Sequence, residues 1–188
     1  MDNRERLLEC ALTLFSAHGY DAVGVQQIVQ AAGVTKPTLY HYFGSKRGLL
    51  EALLGTYFEQ MNQVLQESAL YIGYLPGTLE RITAALFEFA RENPAFYRLQ
   101  LALWFAPVES EGFEVVSRLN AFQQETLEVL FRQAARDHGN MRGRHRAYAA
   151  TFLGMINTYI ALALNGFTRL DANLVRQAVH QFQHGIYS

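Results

Sequence analysis

The stretch that most constrains this chain runs from Gly24 to Leu50, G-V-Q-Q-I-V-Q-A-A-G-V-T-K-P-T-L-Y-H-Y-F-G-S-K-R-G-L-L. It has no Asp or Glu, yet carries Lys36, Lys46 and Arg47. Its punctuation predicts two short helices joined by a tight turn, with a third helix directly after. Gly24 can cap a helix whose inward face is Val25, Ile28, Val29 and Ala32. Gly33 stops that helix, because glycine alone enters a left-handed backbone cheaply. Val34 fills the angle between the helices. Thr35 is a good N-cap, and Pro37 is tolerated in a first turn, where N–H groups lack helical partners. Leu39 and Phe43 share one buried stripe, Gly44 closes the helix and Ser45 caps the next. The pattern is a helix-turn-helix whose second helix has the build of a DNA reader.

The run G-V-T-K-P-T-L-Y-H-Y-F-G-S-K-R-G-L-L resembles the TetR family of bacterial transcriptional regulators. Gly33, Val34, Thr35, Leu39, Tyr40, Phe43, Lys46 and Leu49 match that family's signature, and Leu8, Ala11, Leu12, Phe15, Gly19 and Tyr20 fit the helix before it. Gly24 departs from the family, which usually has Thr or Ser there. The resemblance implies that the Thr35–Phe43 helix enters the major groove of double-stranded operator DNA. Lys36, Pro37 and Thr38 would then face base edges or nearby phosphates. Tyr40, His41, Tyr42 and Lys46 would mainly meet phosphate, and Gln26 would read a base. It also implies an N-terminal DNA-binding domain over 1–48 and a ligand-binding and dimerisation domain over 49–188.

Composition is compatible with a small regulator. The 188 residues can bury a core, and the formal net charge is −1, so bulk charge does not announce a nucleic-acid binder. Distribution does, because the basic stretch above is free of acids. The lone Cys10 excludes a disulfide framework and points to a reducing cytoplasm. Met1–Arg6 is charged and is followed by an amphipathic pattern, unlike a secretory signal.

Helical signals continue throughout, which predicts an all-α fold of about nine helices. Asp2 and Glu5 suggest a capping box for a first helix ending near His18-Gly19. A long fourth helix is expected from Lys46 to Ser68, with a stripe of Leu49, Leu50, Leu53, Leu54, Tyr57, Phe58, Met61, Val64 and Leu65. Further helices are expected over Thr78–Glu92, from Asn93-Pro94 to before Pro107, from Ser110 to His138, up to Asn165-Gly166 after a loop at Asn140–Arg144, and after Asp171. Ala147–Phe167 has no charged residue over about the length of a membrane span. Thr151, Asn157, Thr158 and Asn165 favour instead a helix buried on both sides inside a soluble protein; in the dimer that the resemblance implies, it would face its own core on one side and the partner subunit on the other.

No phosphate-binding glycine loop, paired-cysteine metal signature or nucleophile motif is evident, so no catalytic residue, cofactor or metal is assigned. His180 and His184 are spaced i, i+4, but they lack a third ligand and read as polar residues on a terminal-helix face. Operator binding by one short helix reads too few bases, so a homodimer on a palindromic site is expected. Its nominated interface is Tyr148, Thr151, Phe152, Met155 and Tyr159 on the eighth helix and Val175, Val179, Phe182 and Ile186 on the ninth. A pocket for a largely apolar or aromatic effector is expected between Tyr57, Phe58, Met61, Phe87, Tyr97, Leu101, Trp104, Phe105, Phe122, Thr126 and Asn157. The competing reading is a helical small-molecule sensor that binds no operator.

Overall fold

The computed structural model describes residues 2–185, and among them there is helix and no strand. The order is α1 (Asn3–His18), α2 (Val25–Ala32), α3 (Lys36–Phe43), α4 (Lys46–Ser68), α5 (Leu75–Glu92), α6 (Pro94–Trp104), α7 (Glu111–Asp137), α8 (His145–Leu164) and α9 (Ala172–His184). The caps read from the sequence set most of these boundaries. Asp2 accepts from the Glu5 N–H at 2.8 Å while Glu5 accepts from the Asp2 N–H at 3.0 Å, a reciprocal box that satisfies two otherwise orphaned donors. Asp171 caps α9 through the Leu174 N–H at 2.9 Å, and the Ser45 hydroxyl accepts from Gly48 at 2.9 Å to start α4. Two boundaries differ from expectation. Helix α5 begins at Leu75 rather than Thr78, because Pro76 sits in its first turn, where no N–H is needed. The loop before α8 contains a short 3-10 turn, Gly139–Met141.

Packing divides the chain into two compact units, Met1–Glu59 with Pro94–Leu119, and Gln60–Asn93 with Asn120–Ser188. Helices α4 and α7 therefore each contribute to both. In the first unit, α1 buries Leu7, Ala11 and Phe15 at i, i+4, i+8, and packs on α2 and α6. An aromatic cluster forms around Phe96: Tyr57 stacks on it at 4.9 Å, and Phe58 and Tyr97 meet it edge-on at 5.4 and 6.1 Å. In the second unit, α5 packs on α8 and α9, and Phe131 gathers Tyr148, Phe152 and Phe182 around its ring.

Candidate nucleic-acid interface

The turn between α2 and α3 is made by Gly33, whose φ of 64° is left-handed. Its N–H is donated to the carbonyls of Gln30 and Val29, and Val34 N–H to Val29. A side chain at Gly33 would also run into the Arg6 guanidinium, which donates to the Ala32 carbonyl at the end of α2. Arginine from α1 thus closes the helix whose last carbonyls would otherwise be orphaned. Gly24 leaves α2 half-capped: its N–H donates to Gln27 Oε1 at 2.7 Å, but it has no side chain to return the bond.

Helix α3 buries only Leu39 fully, with Phe43 half-buried. Most of the other residues nominated for recognition face out, while Thr38 and Lys46 are half-buried. Gln26, Thr35, Lys36, Pro37 and His41 are exposed, and Tyr40 and Tyr42 keep 47% and 42% of their surface. His41 and Tyr42 meet edge-on at 5.3 Å, and the Thr35 and Thr38 hydroxyls share a hydrogen bond of 2.9 Å. One basic residue went unnoticed in the sequence. Arg4 places its guanidinium 5.8 Å from the centre of the Phe43 ring, adding positive charge beside α3. Its only sequence signal was the charged character of the first residues.

Lys46 behaves differently from the role implied by family resemblance. Its ammonium donates to the Tyr20 carbonyl at 2.9 Å and the Val23 carbonyl at 3.1 Å, and lies 4.1 Å from the Tyr20 ring centre. It ties the α1–α2 connection to the start of α4. Arg47 is likewise engaged, with Glu51 at 3.0 Å and Glu114 at 2.8 Å. The Glu114 hydrogen bond is the main cause that holds the guanidinium charged far beyond ordinary pH, and the same bond lowers the Glu114 pKa. The Tyr20 hydroxyl donates to Glu111 at 2.7 Å. Burial first, and then that hydrogen bond, push its pKa up.

The residues nominated for an effector pocket fall in both units. Tyr57, Phe58, Tyr97, Leu101, Trp104 and Phe105 are in the first, and Met61, Phe87, Phe122, Thr126 and Asn157 are in the second. Phe58, Met61, Phe87 and Tyr97 are buried, and Tyr57, Leu101, Thr126 and Asn157 are half-buried. Phe105 is 81% exposed, so its nomination as an interior wall is corrected: it lies past the end of α6, in the connection to α7. Trp104, still 40% exposed, stacks on Phe113 at 5.8 Å. Phe122 is also exposed, and the Thr126 hydroxyl is spent on the Phe122 carbonyl at 2.9 Å. By contrast, among the described residues the buried carbonyl oxygens of the Asn157 and Asn62 side chains have no hydrogen-bond partner, and the Gln123 amide nitrogen meets the Met61 sulfur at 3.5 Å. Asn62 and Gln123 were not nominated because each has polar neighbours in sequence, Gln63 and Gln124-Glu125, whereas Asn157 stands out in a mostly apolar run.

The nominated dimer residues also need correction. Phe152, Val175 and Val179 are 0%, 8% and 1% exposed within one chain, so they belong to its own core. Phe182 packs on Phe131 and Phe152, and Tyr148 on Phe131. Thr151 is exposed and Met155 and Tyr159 are half-buried, while Ile186 lies outside the described residues. Helix α8 is long and apolar enough to cross a membrane by length and composition. It buries one stripe, Ala149, Phe152, Ile156 and Ile160. Its opposite face, Ala147, Ala150, Thr151, Gly154 and Thr158, is exposed and made of small side chains.

A family model described as bacterial regulatory proteins, tetR family, matches residues 7–53. The biofilm operon negative transcriptional regulator IcaR of Staphylococcus aureus is 26% identical over 110 residues, which are 58% of this chain and 58% of IcaR. The match thus spans less than two thirds of that relative's length. The transcriptional activator FasR of Mycolicibacterium smegmatis is 24% identical over 98% of this chain and 82% of its own. Among solved structures, PfmR, a TetR family regulator of Thermus thermophilus, superposes with a TM-score of 0.77 at 23% identity, covering 100% of this chain and 99% of its own. The regulator FadR of Bacillus subtilis, solved with stearoyl-CoA, does so at 0.81 and 17% identity, covering 97% of this chain and 99% of its own. These likenesses establish the fold.

Proposed function

The chain belongs to the TetR family of bacterial regulatory proteins, and on that footing we propose that it is a cytoplasmic, homodimeric repressor released from a palindromic operator by a small, largely apolar effector. The observation that carries the reading is helix α3, which buries Leu39 and leaves Lys36, Pro37, Tyr40, His41 and Tyr42 exposed, within a segment, Gly24–Leu50, that has no Asp or Glu. Phosphates bound by Lys36, His41 and the tyrosine hydroxyls set its register on DNA, and Lys36, Thr38 and Gln26 discriminate bases. Lys46 acts by positioning, because it anchors the connection that holds α2 against α4. We retain 1–48 as the DNA-binding domain and 49–188 as the regulatory domain.

Pairing of two copies uses the exposed small-residue face of α8, flanked by Met155. Small side chains allow close helix approach, and the lack of charge on that face makes its burial inexpensive. The effector sits in the regulatory domain, where the unpartnered oxygens of Asn62 and Asn157 supply polar anchors among apolar side chains. A long-chain acyl thioester is the first class to test, since FadR of B. subtilis was solved with stearoyl-CoA. Release requires tighter effector binding to the DNA-incompetent state, with α4 carrying the change to α3, and reciprocity demands that operator weaken effector binding by the same factor. FasR, named an activator, matches nearly the whole chain and favours activation as the second reading of the sign.

The test is a gel shift on DNA flanking the gene, with and without stearoyl-CoA. Saturable, sequence-specific binding that stearoyl-CoA reverses supports the full reading. Binding unaffected by stearoyl-CoA rejects the acyl thioester but keeps the regulator. Absence of specific binding to these fragments and to a selected random library rejects operator recognition.

A further inference from the structure

Operator and effector binding leave unused the outward face of α9, where Arg176, His180 and His184 follow one another at i, i+4 and i+8. The His180 and His184 rings lie with their centroids 4.5 Å apart. Both are exposed, and both line an open depression of about 800 Å³ shared with Tyr74, Glu80 and Tyr159.

We infer that His180 and His184 form a two-imidazole site for a borderline divalent transition ion, Zn²⁺, Ni²⁺ or Cu²⁺. Two imidazoles bound to one ion must bring nitrogens to about 2.0–2.1 Å from it. Residues i and i+4 on a helix are neighbours on one face, and rings whose centroids are 4.5 Å apart can each turn a nitrogen toward a shared ion. The helix supplies this arrangement before the metal arrives, so little side-chain freedom is lost on binding. Imidazole selects Zn²⁺, Ni²⁺ and Cu²⁺ over Mg²⁺ and Ca²⁺, which prefer oxygen.

Electrostatics agree. His184 is the last residue of α9, and Gly185 follows. Unpaired carbonyls give a helix C-terminus partial negative charge, which favours a cation beside its last turn. Arg176 opposes this, since it lies one turn from His180 and lines the same depression, although it is exposed to water and two turns from His184. The Glu80 carboxylate in the same depression supplies compensating charge. Among the described residues no group of three or more His, Cys, Asp or Glu stands together as a metal cluster. Water therefore fills the remaining positions, and the open depression gives it access. The tyrosine hydroxyls and the amides of Gln177, Gln181 and Gln183 line the same space and can hydrogen-bond that water.

The experiment uses full-length protein without a polyhistidine tag, titrated with Ni²⁺ and with Zn²⁺ by calorimetry. The comparison set is wild type, His180→Ala, His184→Ala and, as a surface control, His138→Ala. The expected result is one ion per chain in wild type and in His138→Ala. Affinity should fall by about a hundredfold in each of the other two, since a lone imidazole loses the chelate advantage. Pulsed electron paramagnetic resonance of the Cu²⁺ form reads the ligands directly, as two equatorial imidazoles in wild type and one in either variant. Zn²⁺ should raise the melting temperature of wild type and leave His184→Ala unmoved. Because both histidines are exposed, their alanine variants keep the fold, which circular dichroism verifies. A single imidazole in wild type, or equal affinity in wild type and His180→Ala, overturns the inference. So does Mg²⁺ competing as well as Zn²⁺.

Discussion

Replacing Lys46 with methionine should unfasten the helix-turn-helix from α4 while leaving the salt dependence of DNA binding almost intact. The aliphatic stem is kept, and the ammonium is removed. Lost are the bonds to the Tyr20 and Val23 carbonyls at 2.9 and 3.1 Å and the contact with the Tyr20 ring at 4.1 Å. Hydrogen bonds from a charged donor contribute about 1.5–3 kcal/mol each and a cation–π contact about 0.5–1. Two corrections reduce the sum. Lys46 is only partly buried, and the Tyr20 carbonyl keeps a bond from the Val23 N–H at 3.3 Å. The net cost is about 2–3 kcal/mol, equivalent to about 5–10 °C of melting temperature for a chain of this size. Thermal unfolding at matched protein concentration measures it. Parallel binding isotherms over a range of salt separate anchoring from phosphate contact, because each lost phosphate contact flattens the slope of log affinity against log salt by about 0.9. Lys36→Met should show that flattening with little change in melting temperature. If Lys46→Met instead melts like wild type and loses one unit of slope, Lys46 is a phosphate ligand and the anchoring argument is wrong.

Other outcomes can be checked independently. Gly24→Ser should stabilise the protein by about 0.5–1 kcal/mol, because it completes the α2 cap and restricts the unfolded chain. Gly24 has φ −88°, and a β-carbon there would meet only Gln27 Oε1 at 3.8 Å, so unchanged or lower stability in urea would count against this. Gly33→Val should cost about 2 kcal/mol or more, from the left-handed backbone and the clash with Arg6, visible as a lowered denaturation midpoint. Gly154→Arg places a charge on the exposed α8 face and should yield folded monomers in light scattering; persistent dimers would move the interface elsewhere. Glu114 has its pKa lowered chiefly by its hydrogen bond to Arg47. Its contribution is therefore present above its unfolded pKa and lost as pH falls through the folded one, so Glu114→Gln should flatten the acid limb of stability against pH, slightly because the pair is exposed.

Helix ends were legible because each depends on a few adjacent residues. Asp2 with Glu5, Gly33, Ser45 and Asp171 act where the sequence places them, since a cap or a left-handed turn needs only its neighbours. The start of α5 slipped because Pro76 suits both a turn and a first helical turn. The two faces of α8 and α9 could not be told apart by period alone. Phe152 and Val179 repeat as regularly as a dimer stripe does, and only their burial by Phe131 and the other helices of their own chain assigns them to its core.

Local backbone preferences and the 3.6-residue period were enough to specify the all-helical class, the helix-turn-helix and the outward residues of α3. Long-range packing set what Lys46 does, since the carbonyls it binds belong to Tyr20 and Val23, far back along the chain. It also left Phe105 in solvent and the Asn62 and Asn157 oxygens without partners among the described residues. Those outcomes depend on which distant atoms fill the space around a side chain, and no local pattern encodes that.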